Sequence, residues 1–140
     1  MMSISDYVEE QLMCIGATPE YTGYKYLVQG IIMSMQDESL LNRVTTGMYP
    51  AIAKKYDTGA ANVERSIRTV ISAIWCEADP KELREIMGRS YTVQPGNAKF
   101  IGIVSKYLLI NYRRSQRHGE RRLRDCIQGE NTVAKSHDIC

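Results

Sequence analysis

The stretch PAIAKKYDTGAANVERSIRTVISAI, residues 50 to 74, constrains this chain more than any other. Pro50 to Tyr56 reads as a short helix, because a proline is tolerated in the first turn, where the amide it lacks has no intrahelical partner. Asp57-Thr58-Gly59 then breaks the run with residues that favour turns and caps over helix interiors. Beyond the break, Val63, Ile67, Val70, Ile71 and Ile74 recur at offsets that share one face of a 3.6-residue period. Asn62, Arg65, Arg68, Thr69 and Ser72 fall on the opposite face. Two helices joined by a small-residue turn, the second with Arg, Asn and Thr outward, is the layout of a helix-turn-helix.

The residue types have chemical reasons. The major groove admits one helix, and guanine offers two acceptors that an arginine fork takes together. Arg65 and Arg68 are three apart on one face, so both can point into one groove. Ala53 suits the crossing point of the two helices, and Lys54 and Lys55 follow it as cations that could meet phosphate. The competing reading is a plain helical hairpin in a bundle, with Glu64 and Arg68 as an i,i+4 surface pair.

Further residues bear on that choice. Gly23-Tyr24 with Tyr26-Leu27, Tyr49-Pro50 followed by Ile52-Ala53-Lys54-Lys55-Tyr56, and Val63-Glu64-Arg65 with Ile67-Arg68 and Trp75 form one pattern. It continues through Gly88 and Tyr91-Thr92 to Pro95, Asn97 and Phe100. Across roughly residues 4 to 110 the chain resembles the effector domain of the sporulation response regulator, stage-zero sporulation protein A. The resemblance implies a compact all-helical domain that binds short boxes of double-stranded DNA and regulates transcription. It also implies DNA-facing roles for Glu64, Arg65 and Arg68. Asn62 stands where a family member has a basic residue, and Thr69 where it has a histidine. Asn pairs with adenine or a phosphate and Thr touches a thymine methyl, so the box read here is expected to differ. Family regulators carry a receiver domain ahead of this module. Here the module begins almost at Met1, so neither a receiver nor control by phosphorylation is expected. The segment Trp75 to Met87 corresponds to a region lying near the RNA polymerase sigma subunit. That suggests the alternative function, a protein-interaction module acting on polymerase or on a full-length regulator without reading DNA.

The remainder of the chain fits one helical domain. Ser3 or Ser5 caps a first helix, and a second runs from about Tyr21 to Met35. Glu38 to Met48 leads into the helix-turn-helix, with a possible bend at Thr45-Thr46-Gly47. Pro80 to Met87 forms a short helix ended by Gly88, Tyr91-Thr92-Val93 an extended rung, and Asn97 caps a last helix to Tyr112. That last helix is apolar at Phe100, Ile101, Ile103, Val104, Tyr107, Leu108 and Ile110, more than one face requires. Either deep burial or a contact surface for a second copy accounts for the surplus.

Charge is uneven. Residues 1–112 hold 11 Lys/Arg against 12 Asp/Glu, and residues 113–140 hold 7 against 4. Nucleic-acid contact must therefore come from a local patch. Arg113 and Arg114 begin a basic tail suited to phosphate contact. No apolar run is long enough to span a membrane, and the opening MMSISDYVEE lacks the basic region and apolar stretch of a signal peptide. Cys14, Cys76, Cys126 and Cys140 lack metal-ligand spacing and read as reduced thiols of a cytoplasmic protein. No glycine-rich phosphate loop, HExxH or catalytic triad pattern is present, so neither enzyme activity nor a metal or other cofactor is expected.

The expectation is thus an all-α, compact bundle of about six helices over residues 1–112, followed by a basic tail, residues 113–140. Asn62, Glu64, Arg65, Arg68 and Thr69 are the candidate base contacts. Lys54, Lys55, Arg113 and Arg114 are the candidate phosphate contacts. A single helix-turn-helix covers little DNA, so a monomer in solution that pairs on adjacent boxes is expected.

Overall fold

The computed structural model describes residues 2–88 and 92–118. They form six α-helices: α1 (Ile4–Cys14), α2 (Tyr24–Gln36), α3 (Tyr49–Lys55), α4 (Ala60–Glu77), α5 (Pro80–Met87) and α6 (Asn97–His118). Among the described residues there is no strand, and the rung expected at Tyr91-Thr92-Val93 is absent at Thr92 and Val93, Tyr91 lying outside them. No helix of the described residues is long and apolar enough to cross a membrane.

Local chemistry sets the helix ends. Ser3 Oγ accepts from the Asp6 amide at 3.1 Å, so Ser3 rather than Ser5 caps α1. Asp79 accepts from the Lys81 amide at 3.0 Å and Pro80 opens α5, which Gly88 ends at φ 91°, a conformation suited to glycine. Helix α2 starts at Tyr24, later than the expected Tyr21. Gly23 is pressed against α4, and a Cβ there would lie 2.1 Å from the Ser66 carbonyl oxygen.

The segment between α2 and α3 is not an ordinary helix. Glu38–Asn42 is a 3-10 turn capped by Asp37, and Val44–Met48 is a π turn in which the Gly47 and Met48 amides both reach the Arg43 carbonyl. The bend lies at Arg43, ahead of Thr45-Thr46-Gly47, and the wide turn then runs straight into Tyr49.

Helices α2 and α6 form the centre. Leu27 and Ile31 from α2 meet Phe100, Ile101, Val104 and Leu108 from α6, with Ile52 of α3, Ile67, Ile71 and Ile74 of α4, and Val8 and Leu12 of α1 closing around them. Each such side chain contributes about 1.5–3 kcal/mol by leaving water. Helix α6 packs against α1, α2, α4, α5 and the 3-10 turn, which accounts for its apolar surplus by burial on several sides. It continues past residue 112, where the sequence reading closes the domain, so Arg113, Arg114 and Arg117 extend a helix. There Tyr112 lies 5.2 Å from the Tyr7 ring and donates to the Met2 carbonyl, tying α6 to the segment that leads into α1.

The cysteines correct one expectation. Cys14 and Cys76 are both disulfide-bonded rather than reduced. They stand at the ends of α1 and α4, which the fold brings together: a Cβ at Gly16 would lie 3.5 Å from the Glu77 Cβ. Spacing along the sequence gave no hint of this. Cys126, Cys140 and the tail from residue 119 onward lie outside the described residues.

Candidate nucleic-acid interface

The α3–α4 pair carries the site. Ile52 and Ala53 of α3 are buried, and Ala53 is small enough to let the two helices approach. The Thr58 amide then donates to the Ala53 carbonyl at 2.9 Å. Asp57, not Gly59, takes the left-handed conformation, with φ 52°; among non-glycine residues Asp tolerates it best together with Asn. Gly59 is extended and precedes the first residue of α4. Along α4, Val63, Ile67, Val70, Ile71 and Ile74 are fully buried. That burial fixes the helix's rotation, and Ala61, Arg65, Arg68, Thr69 and Ser72 emerge as one exposed stripe.

The five candidate base contacts divide within this geometry. Arg65, Arg68 and Thr69 lie on the exposed stripe, whereas Asn62 and Glu64 are half-buried on its two flanks. Arg65 has no ion pair among the described residues, and its carbonyl accepts from Thr69 Oγ1 at 3.1 Å. Arg68 is paired with Glu64 one turn earlier, both side chains still open to water. Asn62 donates to Thr58 Oγ1 at 2.9 Å and accepts from Ser66 Oγ at 3.4 Å, so it also stitches the turn to α4.

Of the candidate phosphate contacts, Lys54 and Lys55 are exposed at the end of α3 beside this stripe, Lys55 donating to Gln29 Oε1 at 2.7 Å. Arg113 and Arg114 are exposed elsewhere. They lie roughly 24 Å along the α6 axis from Asn97, at 1.5 Å per residue. Arg113 lines a groove with Ser34, Met35 and Glu38, at the end of α2 away from α4. The fold does not bring these two arginines to the helix-turn-helix.

Sequence reasoning missed the supports of α4. Asn97, expected as a helix cap, donates from Nδ2 to Tyr49 Oη at 3.1 Å and to the Glu64 carbonyl at 3.0 Å. One side chain thereby ties α6 to both helices of the pair. Burial pushes the Tyr49 hydroxyl above its ordinary pKa, and the hydrogen bond from Asn97 pulls the other way. Gln94 donates to Ser72 Oγ at 3.0 Å, bracing the stripe's far end. No local pattern announces such contacts, because their partners are distant in sequence. Among the described residues no group of His, Cys, Asp or Glu is placed to hold a metal ion.

A comparison with known families agrees with this architecture. The family model for the sporulation initiation factor Spo0A C terminal matches residues 8–108. The match spans the whole α3–α4 pair and most of α6, and stops short of Arg113 and Arg114.

Proposed function

The chain belongs to the Spo0A C-terminal family, the DNA-binding effector domains of a sporulation regulator, and from this premise we propose that it reads specific duplex sites through α4 and regulates transcription. One observation carries the proposal. The stripe of Arg65, Arg68 and Thr69 faces water while the opposite face of the same helix is fully buried. Among the described residues none of the three bonds to another helix: Arg68 meets only Glu64 and Thr69 only the Arg65 carbonyl of the same helix, and their chemistry matches base edges in the major groove. In this reading Arg65 and Arg68 take guanine and Thr69 meets a thymine methyl. Arg68 leaves Glu64 for the base, freeing the carboxylate to accept from a cytosine amino group, and Asn62 pairs with adenine or a phosphate. Lys54 and Lys55 grip the backbone, and Arg113 and Arg114 reach only more distant phosphates. The free protein is a monomer that pairs on two adjacent boxes, since one helix-turn-helix covers little DNA.

A second reading rests on a different observation. Trp75, Pro80, Leu83, Arg84, Met87 and Thr92 line an open groove of about 330 Å³ between the end of α4 and α5. It is a candidate surface for the polymerase sigma subunit, with α4 then acting as a structural helix. Selection from random duplexes, followed by titration of selected and scrambled sites, separates the two. Enrichment of a short motif bound at least tenfold more tightly than the scrambled duplex supports base reading; equal binding to both, or none, overturns it.

A further inference from the structure

Beside α4, an unusual arrangement of charge joins Lys55 to a lysine with no role assigned so far. Lys25 and Lys55 both bring their ammonium groups over the Tyr56 ring, at 5.1 and 5.5 Å from its centre. Lys25 also lies 5.7 Å from the Tyr26 ring, which packs against Tyr56 with centroids 5.5 Å apart. Such distances hold a cation by the ring's negative face. Both lysines are exposed, and among the described residues neither forms an ion pair. Glu9 and Glu20 line the same groove, but Glu9 meets the Tyr24 hydroxyl and Glu20 the Thr18 hydroxyl. Two like charges are therefore held on one ring with no carboxylate against either. An anion placed between them relieves their repulsion.

The position of the pair identifies the anion. Gly23 presses the start of α2 onto the Ser66 carbonyl of α4, and Lys25 projects from that same first turn. Ser66 adjoins Arg65 on the exposed stripe. A helix seated in a major groove about 12 Å wide has a phosphate strand along each flank. Side chains rising from an element packed against α4 meet that strand.

We infer that Lys25 and Lys55, seated on Tyr56, form a clamp for one stretch of DNA backbone phosphates flanking the box. Lys25 is a contact that the helix-turn-helix pattern does not include. The clamp rests on the DNA-reading proposal above and adds backbone grip without sequence preference.

The test is the salt dependence of binding to a selected and to a random duplex, for the unaltered protein, Lys25→Gln, Lys55→Gln and Lys106→Gln. Lys106 is an exposed lysine on α6 that lines the groove at the far end of α2. Each clamp variant is expected to lower the slope of log K against log salt by about 0.9, with the ratio of selected to random affinity unchanged. Lys106→Gln should leave the slope as it was. An unchanged slope in Lys25→Gln, or an equal fall in Lys106→Gln, overturns the clamp while leaving base reading intact. Inorganic phosphate shifting the Tyr56 ring resonances with no change in the DNA slope makes this a free-anion site and overturns it too. If the unaltered protein binds no duplex, the DNA-reading proposal itself fails, and the clamp with it.

Discussion

Helices α4 and α6 are the two longest among the described residues, and they use their surfaces in opposite ways. Helix α4 buries one face and leaves Arg65, Arg68 and Thr69 in water. Helix α6 packs against four other helices, burying Phe100, Ile101, Val104 and Leu108, and even its polar Ser105 and Asn111 are covered. Those two side chains bond back to carbonyls of their own helix, which removes the cost of covering them. A helix whose polar face the fold leaves free has residues available for a ligand. A helix surrounded by the fold has few, and burial on several sides accounts for its excess of apolar residues.

The sharpest way to break this contrast is to truncate each helix at its own centre. Leu108→Ala in α6 removes a side chain that is 1 % exposed, and urea unfolding should show a loss of about 2–5 kcal/mol. A loss below 1 kcal/mol would mean that α6 is far less central than its packing indicates. On α4, Arg65→Ala or Arg68→Ala should leave stability within about 0.5 kcal/mol, because both side chains are exposed. Binding should respond instead, with about 1–3 kcal/mol lost on the selected duplex and little on random DNA. Equal losses on both duplexes would reduce these arginines to phosphate contacts.

The two helices also differ in how far a sequence exposes them. The offsets of Val63, Ile67, Val70, Ile71 and Ile74 fix one buried face, and that face dictates which residues emerge, so α4 was legible from local spacing. In α6 the apolar positions spread over about half the circumference, too broad to single out one contact face, so only the packing of α1, α2, α4 and α5 settles its orientation. The same limit hid Asn97, whose amide serves distant partners, and Gly23, whose role is the closeness of Ser66. It hid the bonded Cys14 and Cys76 as well. Turn chemistry was legible to the segment but not to the residue: the break at 57–59 is real, yet Asp57 and not the glycine takes the left-handed conformation.

Where the two helices meet, a smaller effect is expected. Asn97→Ala removes both hydrogen bonds joining α6 to the helix pair, at about 1 kcal/mol each. The same contact has a pH signature. Burial holds the Tyr49 proton on the folded protein to higher pH than on the unfolded chain. The folded state then binds more protons above about pH 10, so this contribution to stability is complete below that pH and declines as pH rises through the folded pKa. Tyr49→Phe should flatten part of the alkaline decline. In Asn97→Ala the phenolate loses its donor, so its absorbance should appear at higher pH than in the unaltered protein. An earlier appearance would contradict the assigned direction of that hydrogen bond.

The smallest effect concerns the one large apolar side chain that α6 leaves in water. Ile110 is 44 % exposed, whereas Ile103 and Tyr107, its companions in any contact surface, are packed against the core. A single exposed isoleucine falls well short of the roughly 800 Å² per partner that a stable interface buries. Ile110→Ser should therefore change stability by no more than about 0.5 kcal/mol and leave the sedimentation of the free protein as it was. If pairing occurs on DNA through the placement of two boxes, cooperativity on a two-box duplex should also survive the change. A free dimer that Ile110→Ser dissociates would reverse the contrast, giving α6 a partner face. Cooperativity lost in the variant while one-box affinity holds would place the contact between DNA-bound copies at this residue.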